Sequence, residues 1–305
     1  MKDKLINIVL LMQIIVTAIV IIPSDEQYNI IKIYTLLICG AALLILMLAN
    51  YKKLKLDKND YIILIFGFLV FLSTINSKNI LISIIGEKNR YEGILALYTY
   101  IVIYMCAKKF LNYKKMTLIR IMEVLYMIIG VIGIIQNYVV YPDSSLIPIF
   151  NKGVCGTFGN TNFMGNFTSI GLPLFIILYI LDDDKVSLVT ALTTFFCLIA
   201  CNARSGWVAF IAFSIVLIAY LKKNYKKEYI KRIFILIVAF ITIFAMLYTQ
   251  KNSSLRRKIN ITKYDISIMK ESGISNGNLG SGRIQIWKIV IDIIRKTSYS
   301  RSWDR

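Results

Sequence analysis

The sequence predicts an all-α integral membrane protein, a polytopic bundle of about nine transmembrane helices followed by a segment outside the membrane. Apolar residues make up 57% of the 305 residues, and the mean hydropathy is +0.65. A single water-soluble core cannot hide that much apolar surface. Apolar stretches of 15 to 21 residues also recur along the chain, and a helix that crosses a bilayer needs about 20 residues.

Nine apolar stretches are long enough to span a membrane when tilt and interfacial residues extend the shorter ones. The first follows Lys2 and Lys4 and resembles a signal peptide, but Ile21, Ile22 and Pro23 provide no small-residue cleavage site. We therefore expect it to remain as an anchor. The predicted spans are Leu5–Ile22, Ile30–Ala49, Tyr61–Ile75, Tyr91–Ala107, Leu118–Tyr138, Phe163–Leu181, Val186–Cys201, Gly206–Leu221 and Ile233–Tyr248.

The distribution of positive charge predicts the orientation. The chain has 36 Lys and Arg against 17 Asp and Glu, a net charge of +19. In a soluble protein this balance suggests nucleic-acid binding, whereas in a membrane protein the excess marks cytoplasmic loops. The N-terminus and alternate loops hold 18 of these cations, and the other loops before residue 249 hold 5. This predicts a multi-pass protein of the cell membrane with a cytoplasmic N-terminus and no nucleic-acid partner.

Residues 249–305 are predicted to form an extracytoplasmic segment that follows the membrane bundle of residues 1–248. The segment is polar until about Ser281. Beyond that point Ile286, Val290 and Ile293 recur at helical spacing, with charged residues on the other side. We expect an amphipathic helix over residues 283–296 that lies on the outer surface.

The residue types present limit the possible chemistry. The sequence contains no histidine, so Ser-His-Asp or Cys-His catalysis and His-ligated zinc lack their key residue within these 305 positions. The five cysteines form no CxxC pair. Cys197 and Cys201 share one helix face at i,i+4 spacing, where they would either hold a soft metal ion or pack between helices, and packing is favoured. No metal ion or cofactor is predicted.

Four polar motifs lie on the predicted outer face. The first occupies residues 86–93, before the fourth span, and places Arg90 between Glu87 and Glu92. The guanidinium of Arg90 offers a two-pronged donor for a phosphate group. Alternatively, Arg90 extends to the membrane surface beside the two glutamates. The residues leave both interpretations open.

The second motif is the GTFGNTNFMG run at residues 156–165, before the sixth span. Gly156, Gly159, Asn160 and Asn162 allow backbone N–H groups to converge on an anion at a helix N-terminus. The alternative is a tight turn in which Asn162 caps the helix. Taken alone, the motif favours the turn.

The third and fourth motifs each place an arginine at the start of a helix, where the helix dipole disfavours a cation. Arg204 lies in a connection between two spans that is short enough to hold it at the membrane surface. A charge at that depth indicates either a function or a side chain that extends to the interface, and the unfavourable position at a helix start favours function. Arg283 follows the small residues 280–282 and precedes Trp287. Three arginines on one side of a membrane suggest a polyanionic ligand, and a lipid-linked diphosphate is the natural candidate.

In this order the motifs resemble those of the bacterial O-antigen ligase and polymerase-like membrane proteins. The resemblance rests on RYEG at Arg90, GTFGNTNFMG at Gly156, ARSGW at Arg204 and GSGRxxxW at Arg283. It implies a GT-C-type helical bundle that transfers a glycan from undecaprenyl diphosphate to an acceptor hydroxyl on the outer face, with inversion and without a metal ion. It also implies that the arginines matching Arg204 and Arg283 hold the donor diphosphate.

The motifs and the resemblance together give a set of expected substrate-binding residues. The expected partners are a lipid-linked oligosaccharide and membrane lipids, with the acceptor and the sugar unidentified. The expected substrate-binding residues are Arg90, Arg204, Arg283, Gly156, Gly159, Asn160, Asn162 and Trp287.

One departure from the family concerns the catalytic base. Family members continue past the last motif into more of the outer loop, where a His-Asn pair is thought to supply the base. Here the last residues resemble a shifted reading frame, so we expect a C-terminally shortened chain that binds donor but transfers glycan poorly. Glu87 and Glu92 are weak alternatives for the base, and the catalytic residue stays unassigned.

Other functions remain open at this point. A transporter or flippase of lipid-linked saccharide is the main alternative, but such proteins place ionisable residues near the middle of the bilayer. A non-catalytic remnant of the same family would carry the same motifs. A cell-wall polymerase of the shape and division type is disfavoured, because that class of protein lacks these four motifs.

Overall fold

The computed structural model describes residues 2–20, 28–88, 90–139, 153–223, 227–251, 253–272 and 283–300. Within these ranges the chain forms twelve α-helices, a 3-10 helix at Tyr51–Lys53 and no strand. The α-helices are α1 (Lys2–Ile19), α2 (Tyr28–Leu48), α3 (Lys58–Ile75), α4 (Ile80–Ile85), α5 (Ile94–Phe110), α6 (Lys115–Tyr138), α7 (Thr161–Asp182), α8 (Lys185–Ala200), α9 (Arg204–Lys223), α10 (Lys227–Thr249), α11 (Ser254–Ser272) and α12 (Arg283–Ser300).

Each of the nine predicted spans coincides with one helix, from α1 to α3 and from α5 to α10. Among the described residues, six of these helices are long and apolar enough to cross a membrane, namely α2, α3, α6, α7, α9 and α10. The helices α1 and α8 are apolar but shorter. The protein is therefore an all-helical, multi-pass membrane protein, as predicted.

The chain divides into two compact units, Met1–Phe244 and Ala245–Arg305. In the first unit α7 packs against α8 and α9, α8 packs against α6, and α2 packs against α1 and α5. A buried apolar cluster joins α1, α2 and α5. Its members are Ile6, Leu10, Leu43, Cys106 and Phe110.

Small residues allow α6 and α8 to approach closely. A Cβ added to Gly133 would lie 2.6 Å from Cys197 Sγ, and one added to Gly130 would lie 3.1 Å from Thr193 Cβ. Cys197 Sγ donates to Gly130 O at 3.4 Å, and Cys201 Sγ donates to a carbonyl oxygen of its own helix at 3.2 Å. Both thiols are buried. These contacts favour packing for the two cysteines, because close approach of small residues drives helix association in lipid.

Polar contacts join several helix ends that carry the Lys-rich loops, here called the basic end. Lys108 Nζ lies 2.7 Å from Asp60 Oδ1, and Lys109 Nζ lies 2.6 Å from Asp60 Oδ2. Asn7 Nδ2 donates to Phe110 O at 3.0 Å. The starts of α1 and α3 therefore meet the end of α5.

A second network joins α6, α7, α8 and α10 at the basic end. Arg120 Nη1 lies 2.6 Å from Glu123 Oε2 and 2.9 Å from Asp184 Oδ2. Glu123 is fully buried and also accepts a hydrogen bond from Ser187 Oγ at 2.5 Å. Arg232 Nη1 donates to a carbonyl oxygen near the end of α7 at 2.7 Å. A buried carboxylate destabilises the folded state only slightly when it is paired and hydrogen-bonded in this way.

The second unit contains the last residues of α10 followed by α11 and α12. Ser253 Oγ donates to Leu247 O at 2.7 Å, and the guanidinium of Arg256 donates to Tyr248 O at 2.9 Å. These bonds satisfy carbonyl groups at the end of α10. The predicted amphipathic helix is present as α12 and extends to Ser300, whereas α11 was not predicted.

Candidate functional site

The GTFGN turn, residues 156–160, is held by the side chain of Gln136 near the end of α6. Gln136 Oε1 accepts hydrogen bonds from Cys155 N at 3.0 Å and Gly156 N at 2.7 Å, and Gln136 Nε2 donates to Gly156 O at 2.8 Å. Gly156 and Gly159 have φ values of 58° and 64°, in the left-handed region that favours glycine. The Gly156 N–H, one of the groups that could face an anion, therefore already donates a hydrogen bond to Gln136.

Asn160 caps the start of α7. Its side-chain oxygen accepts a hydrogen bond from Asn162 N at 2.8 Å, and its backbone is extended. The expectation that Asn162 forms the cap is therefore wrong by two residues, because only a residue outside the helix can turn its side chain back onto the first turn. The side chains of Asn160 and Asn162 are exposed.

Lys32, in the second turn of α2, attaches the GTFGN turn to the end of α1. Lys32 Nζ donates to Thr17 O at 2.9 Å and lies 4.8 Å from the centre of the Phe158 ring. Thr157 Oγ1 donates to Ala18 O. A cation at a helix C-terminus and over an aromatic face is favourable. Lys32 therefore links α1, α2 and the GTFGN turn.

The ARSGW motif is in backbone contact with the start of α7. Arg204 is the first residue of α9 and is half-buried. A Cβ added to Gly206 would lie 3.1 Å from Gly165 O, and Ala203 approaches Gly165 from the same side. Trp207 Nε1 donates to a carbonyl oxygen of α8 at 3.1 Å. The second and third motifs therefore form one continuous surface.

The first motif is a compact turn between α4 and α5. Gly86 has a φ of 95°, and a Cβ added to Gly93 would lie 2.6 Å from Gly86 N. Tyr91 N donates to Glu87 O at 2.9 Å, and Tyr91 has a φ of 55°, which is rare for a bulky residue. Arg90 is exposed on this turn.

An apolar cavity of about 140 Å³ lies between this turn and the start of α2. Ile33 on α2 lines the cavity, whereas the preceding residue Lys32 contacts the GTFGN turn from an adjacent face of the helix. The start of α2 thus lies between the first and second motifs. The cavity is lined mainly by Ile33, Tyr34, Leu37, Tyr91, Leu95 and Ala96.

These contacts place the first three motifs at one end of the first unit, here called the motif end. It contains the end of α1, the starts of α2, α5, α7 and α9, and the end of α6. The basic end contains the opposite ends of α1, α5, α6 and α7. Three of the four sequence motifs, which are spread between residues 86 and 207 of the chain, therefore share one end of the first unit.

The two candidate carboxylates for a base lie in the first motif. Glu92 Oε1 accepts a hydrogen bond from Tyr100 Oη at 3.2 Å. Glu87 and Glu92 are both exposed. The geometry favours neither of them as the catalytic base.

The fourth motif belongs to the second unit. Arg283 is the first residue of α12, as predicted, while its side chain and residues 280–282 lie outside the described part of the chain. Trp287 is 70% exposed. Within the described residues, no three His, Cys, Asp or Glu side chains are grouped closely enough to hold a metal ion.

Comparison with known proteins bears on the second half of the chain most directly. Residues 189–298, which contain the third and fourth motifs, match a family model. That model describes the O-antigen ligase family, so this segment is similar to an O-antigen ligase domain. The chain is also 23% identical over 295 residues to the ComP-specific O-oligosaccharyltransferase of Acinetobacter baylyi. That alignment covers 88% of this chain and 47% of the relative, so the chain spans about half the relative's length. No solved structure matches the chain.

Two residues of the motif end were missed in the sequence. Gln136 lies near the end of an apolar span, and an uncharged polar residue there is common in membrane helices. Lys32 lies near the start of the second predicted span, where the long side chain of a lysine can simply reach the membrane surface. The signal for both was a polar side chain within an apolar helix, which indicates a partner but does not identify it.

Proposed function

We propose that this chain binds an undecaprenyl-diphosphate-linked glycan and takes part in its transfer to an acceptor hydroxyl at the outer face of the cell membrane. The observation that carries the proposal is the gathering of three motifs at the motif end, away from the Lys-rich loops. The match of residues 189–298 to the O-antigen ligase family supports the same chemistry. The relative's name, an O-oligosaccharyltransferase, also supports glycan transfer.

The proposed donor site uses arginine side chains to hold the diphosphate. Arg204 is half-buried at the start of α9. The neighbouring Ala203 and Gly206 pack against Gly165 of α7, the helix that follows the GTFGN turn. A guanidinium in a rigid, partly buried setting binds phosphate oxygens in a bidentate way. Arg90 is the other cation proposed at the motif end. Arg283 and Trp287 belong to the second unit and are proposed as further contacts to the donor, Arg283 with the diphosphate and Trp287 with the lipid or the sugar.

The proposed orientation has the basic end in the cytoplasm and the motif end outside. The excess of Lys and Arg in one set of loops supports it, because positive loops stay on the cytoplasmic side. A donor whose glycan has been moved to the outer leaflet then meets the arginines directly. Residues 249–305 are proposed to lie on the same outer side.

In the proposed reaction the acceptor oxygen forms a bond to the anomeric carbon while the bond from that carbon to the diphosphate oxygen breaks. Negative charge builds up on the leaving diphosphate, and the arginines stabilise it. The acceptor hydroxyl must lose its proton to a base. Glu87 and Glu92 are the candidates within this chain, and the base is not assigned.

The transporter alternative has less support. It predicts charged side chains near the middle of the membrane helices. Among the charges in the described spans, Glu123 lies deepest, in the third turn of α6, and it is paired with Arg120 at 2.6 Å. The charges thus lie towards the helix ends.

Binding of undecaprenyl diphosphate to the purified chain tests the proposal. Replacing arginine by lysine keeps the charge and removes the bidentate geometry. We expect Arg204→Lys and Arg283→Lys each to weaken binding by about 1.5–3 kcal/mol, which is tenfold or more. The matched control is Arg257→Lys on the exposed surface of α11, with no expected effect. Equal affinities for all four proteins would contradict the proposed donor site.

A further inference from the structure

The apolar cavity between α2, α4 and α5 has the size and lining of a hydrocarbon site. Its volume is about 140 Å³, and an apolar cavity of about 150 Å³ holds a group the size of benzene. A five-carbon isoprenoid unit is of this size. A charged ligand group is disfavoured, because most of the lining is apolar and the residues that form it carry no charged side chain.

The cavity opens to the outside of the helix bundle, on a surface that the proposed topology places in or near the bilayer. Tyr34 and Leu95, both on its lining, are 61% and 45% exposed, whereas Ala96 at its base is 1% exposed. A lipid chain can therefore enter from the bilayer side without displacing a helix.

The cavity lies next to a cation. Tyr91 lines it, and Arg90 is the preceding residue, with Cα atoms about 3.8 Å apart across the peptide bond. Tyr91 is held with a φ of 55° by the compact turn of Gly86 and Gly93. Strained residues of this kind persist where the surrounding structure fixes them, often at ligand clamps.

We infer that this cavity binds an isoprenoid unit of the donor lipid, with Arg90 beside the diphosphate and Tyr91, Leu95 and Ala96 around the hydrocarbon. A polyprenyl diphosphate carries its anionic group directly next to its first isoprenoid unit, which matches the adjacency of Arg90 and the cavity. The inference rests on the proposed function, since it assigns the lipid part of the same donor.

The test compares farnesyl diphosphate with inorganic diphosphate, both bound to the full chain in lipid nanodiscs. The Ala96→Phe variant fills the cavity with a ring. It should weaken binding of farnesyl diphosphate about tenfold or more, because one buried isoprenoid unit is lost. Its affinity for inorganic diphosphate should not change.

The matched control fills a different apolar groove. Val124→Phe adds the same ring to the groove of about 560 Å³ between α1 and α6, which begins near Arg120 at the basic end. This variant should leave both affinities unchanged. If Ala96→Phe does not fold, Leu95→Trp at the exposed mouth of the cavity replaces it, with the same expected loss.

The outcomes distinguish the proposed function from the inference about the cavity. If the unaltered chain binds neither diphosphate, the proposed function and this inference both fail. If it binds both ligands, and filling the cavity changes neither affinity, the inference fails and the diphosphate site survives. Equal weakening by Ala96→Phe and Val124→Phe would also overturn the inference, because the effect would then belong to lipid packing in general.

Discussion

Gly206 of α9 lies against Gly165 of α7, so that a Cβ added to Gly206 would be 3.1 Å from Gly165 O and 2.8 Å from Leu198 Cδ1. This contact joins the ARSGW motif to the end of the GTFGNTNFMG motif. It therefore determines where Arg204 lies relative to the GTFGN turn. A larger side chain at either glycine would push α7 and α9 apart.

Gly206→Val should destabilise the chain by about 1–3 kcal/mol, because overpacking forces backbone shifts. It should also weaken diphosphate binding, since Arg204 moves with α9. Thermal unfolding and binding in detergent measure the two effects. The control is Gly67→Ala, whose Cβ would meet only flexible side-chain ends, Ile101 Cδ1 at 3.1 Å and Tyr98 Cε1 at 3.5 Å. An unchanged unfolding midpoint and affinity for Gly206→Val would contradict the contact.

Gln136→Leu should destabilise the GTFGN turn. The substitution leaves the Cys155 and Gly156 N–H groups and the Gly156 carbonyl without their buried partner. Each unsatisfied buried group costs about 1–3 kcal/mol. Gln136→Glu keeps the acceptor for both N–H groups and should be less harmful at low pH, where its protonated carboxyl also donates. If Gln136→Leu unfolds at the same temperature as the unaltered chain, the assigned bonds are wrong.

Stability should fall at acid pH through carboxylates at the basic end. A hydrogen bond from Lys108 holds the pKa of Asp57 below its ordinary value. Burial raises the pKa of Asp184, but hydrogen bonds from Arg120 and Ser187 outweigh it and leave that pKa lowered. A carboxyl group whose pKa is lowered by folding stabilises the folded state. This stabilisation is complete above the unfolded pKa of about 3.9 and is lost as pH falls through the pKa of the folded state.

The expected result is an unfolding midpoint that is constant between about pH 7 and 5 and decreases below about pH 4. Asp184→Asn should be less stable than the unaltered chain at pH 7, and its stability should decrease less on acidification. Asp292→Asn, at an exposed position of α12, is the control. Parallel acid profiles for Asp184→Asn and the unaltered chain would contradict the assigned role of Asp184.

Membrane orientation is testable by cysteine labelling in intact cells with a reagent that does not cross membranes. Lys78→Cys, between α3 and α4, should react directly, because it lies on the predicted outer side. Lys52→Cys, between α2 and α3, should react only after the cells are permeabilised. Both positions are exposed, and the unaltered chain serves as the control for its own five cysteines. The reverse pattern would invert the proposed topology.

The amino-acid sequence by itself determined the membrane class and the positions of the nine helices that match the predicted spans, because helix length and apolarity are local properties. It also determined that Arg204 and Arg283 begin helices, since short polar connections with small residues precede both. It failed for α4, which has only six residues, and for α11, whose residues are too polar to form an apolar run.

Only the tertiary structure decided what the polar residues contact. The sequence left open whether the GTFGN backbone faces an anion or forms a tight turn, and the motif alone favoured the turn. It did not show that Gln136, some twenty residues earlier, accepts the hydrogen bond of the Gly156 N–H. It gave Lys32 no role, yet that side chain joins α1, α2 and Phe158. The physical reason is that a hydrogen-bond partner is set by which helices pack side by side, and packing depends on small residues such as Gly165 and Gly206 whose neighbours are distant in the sequence.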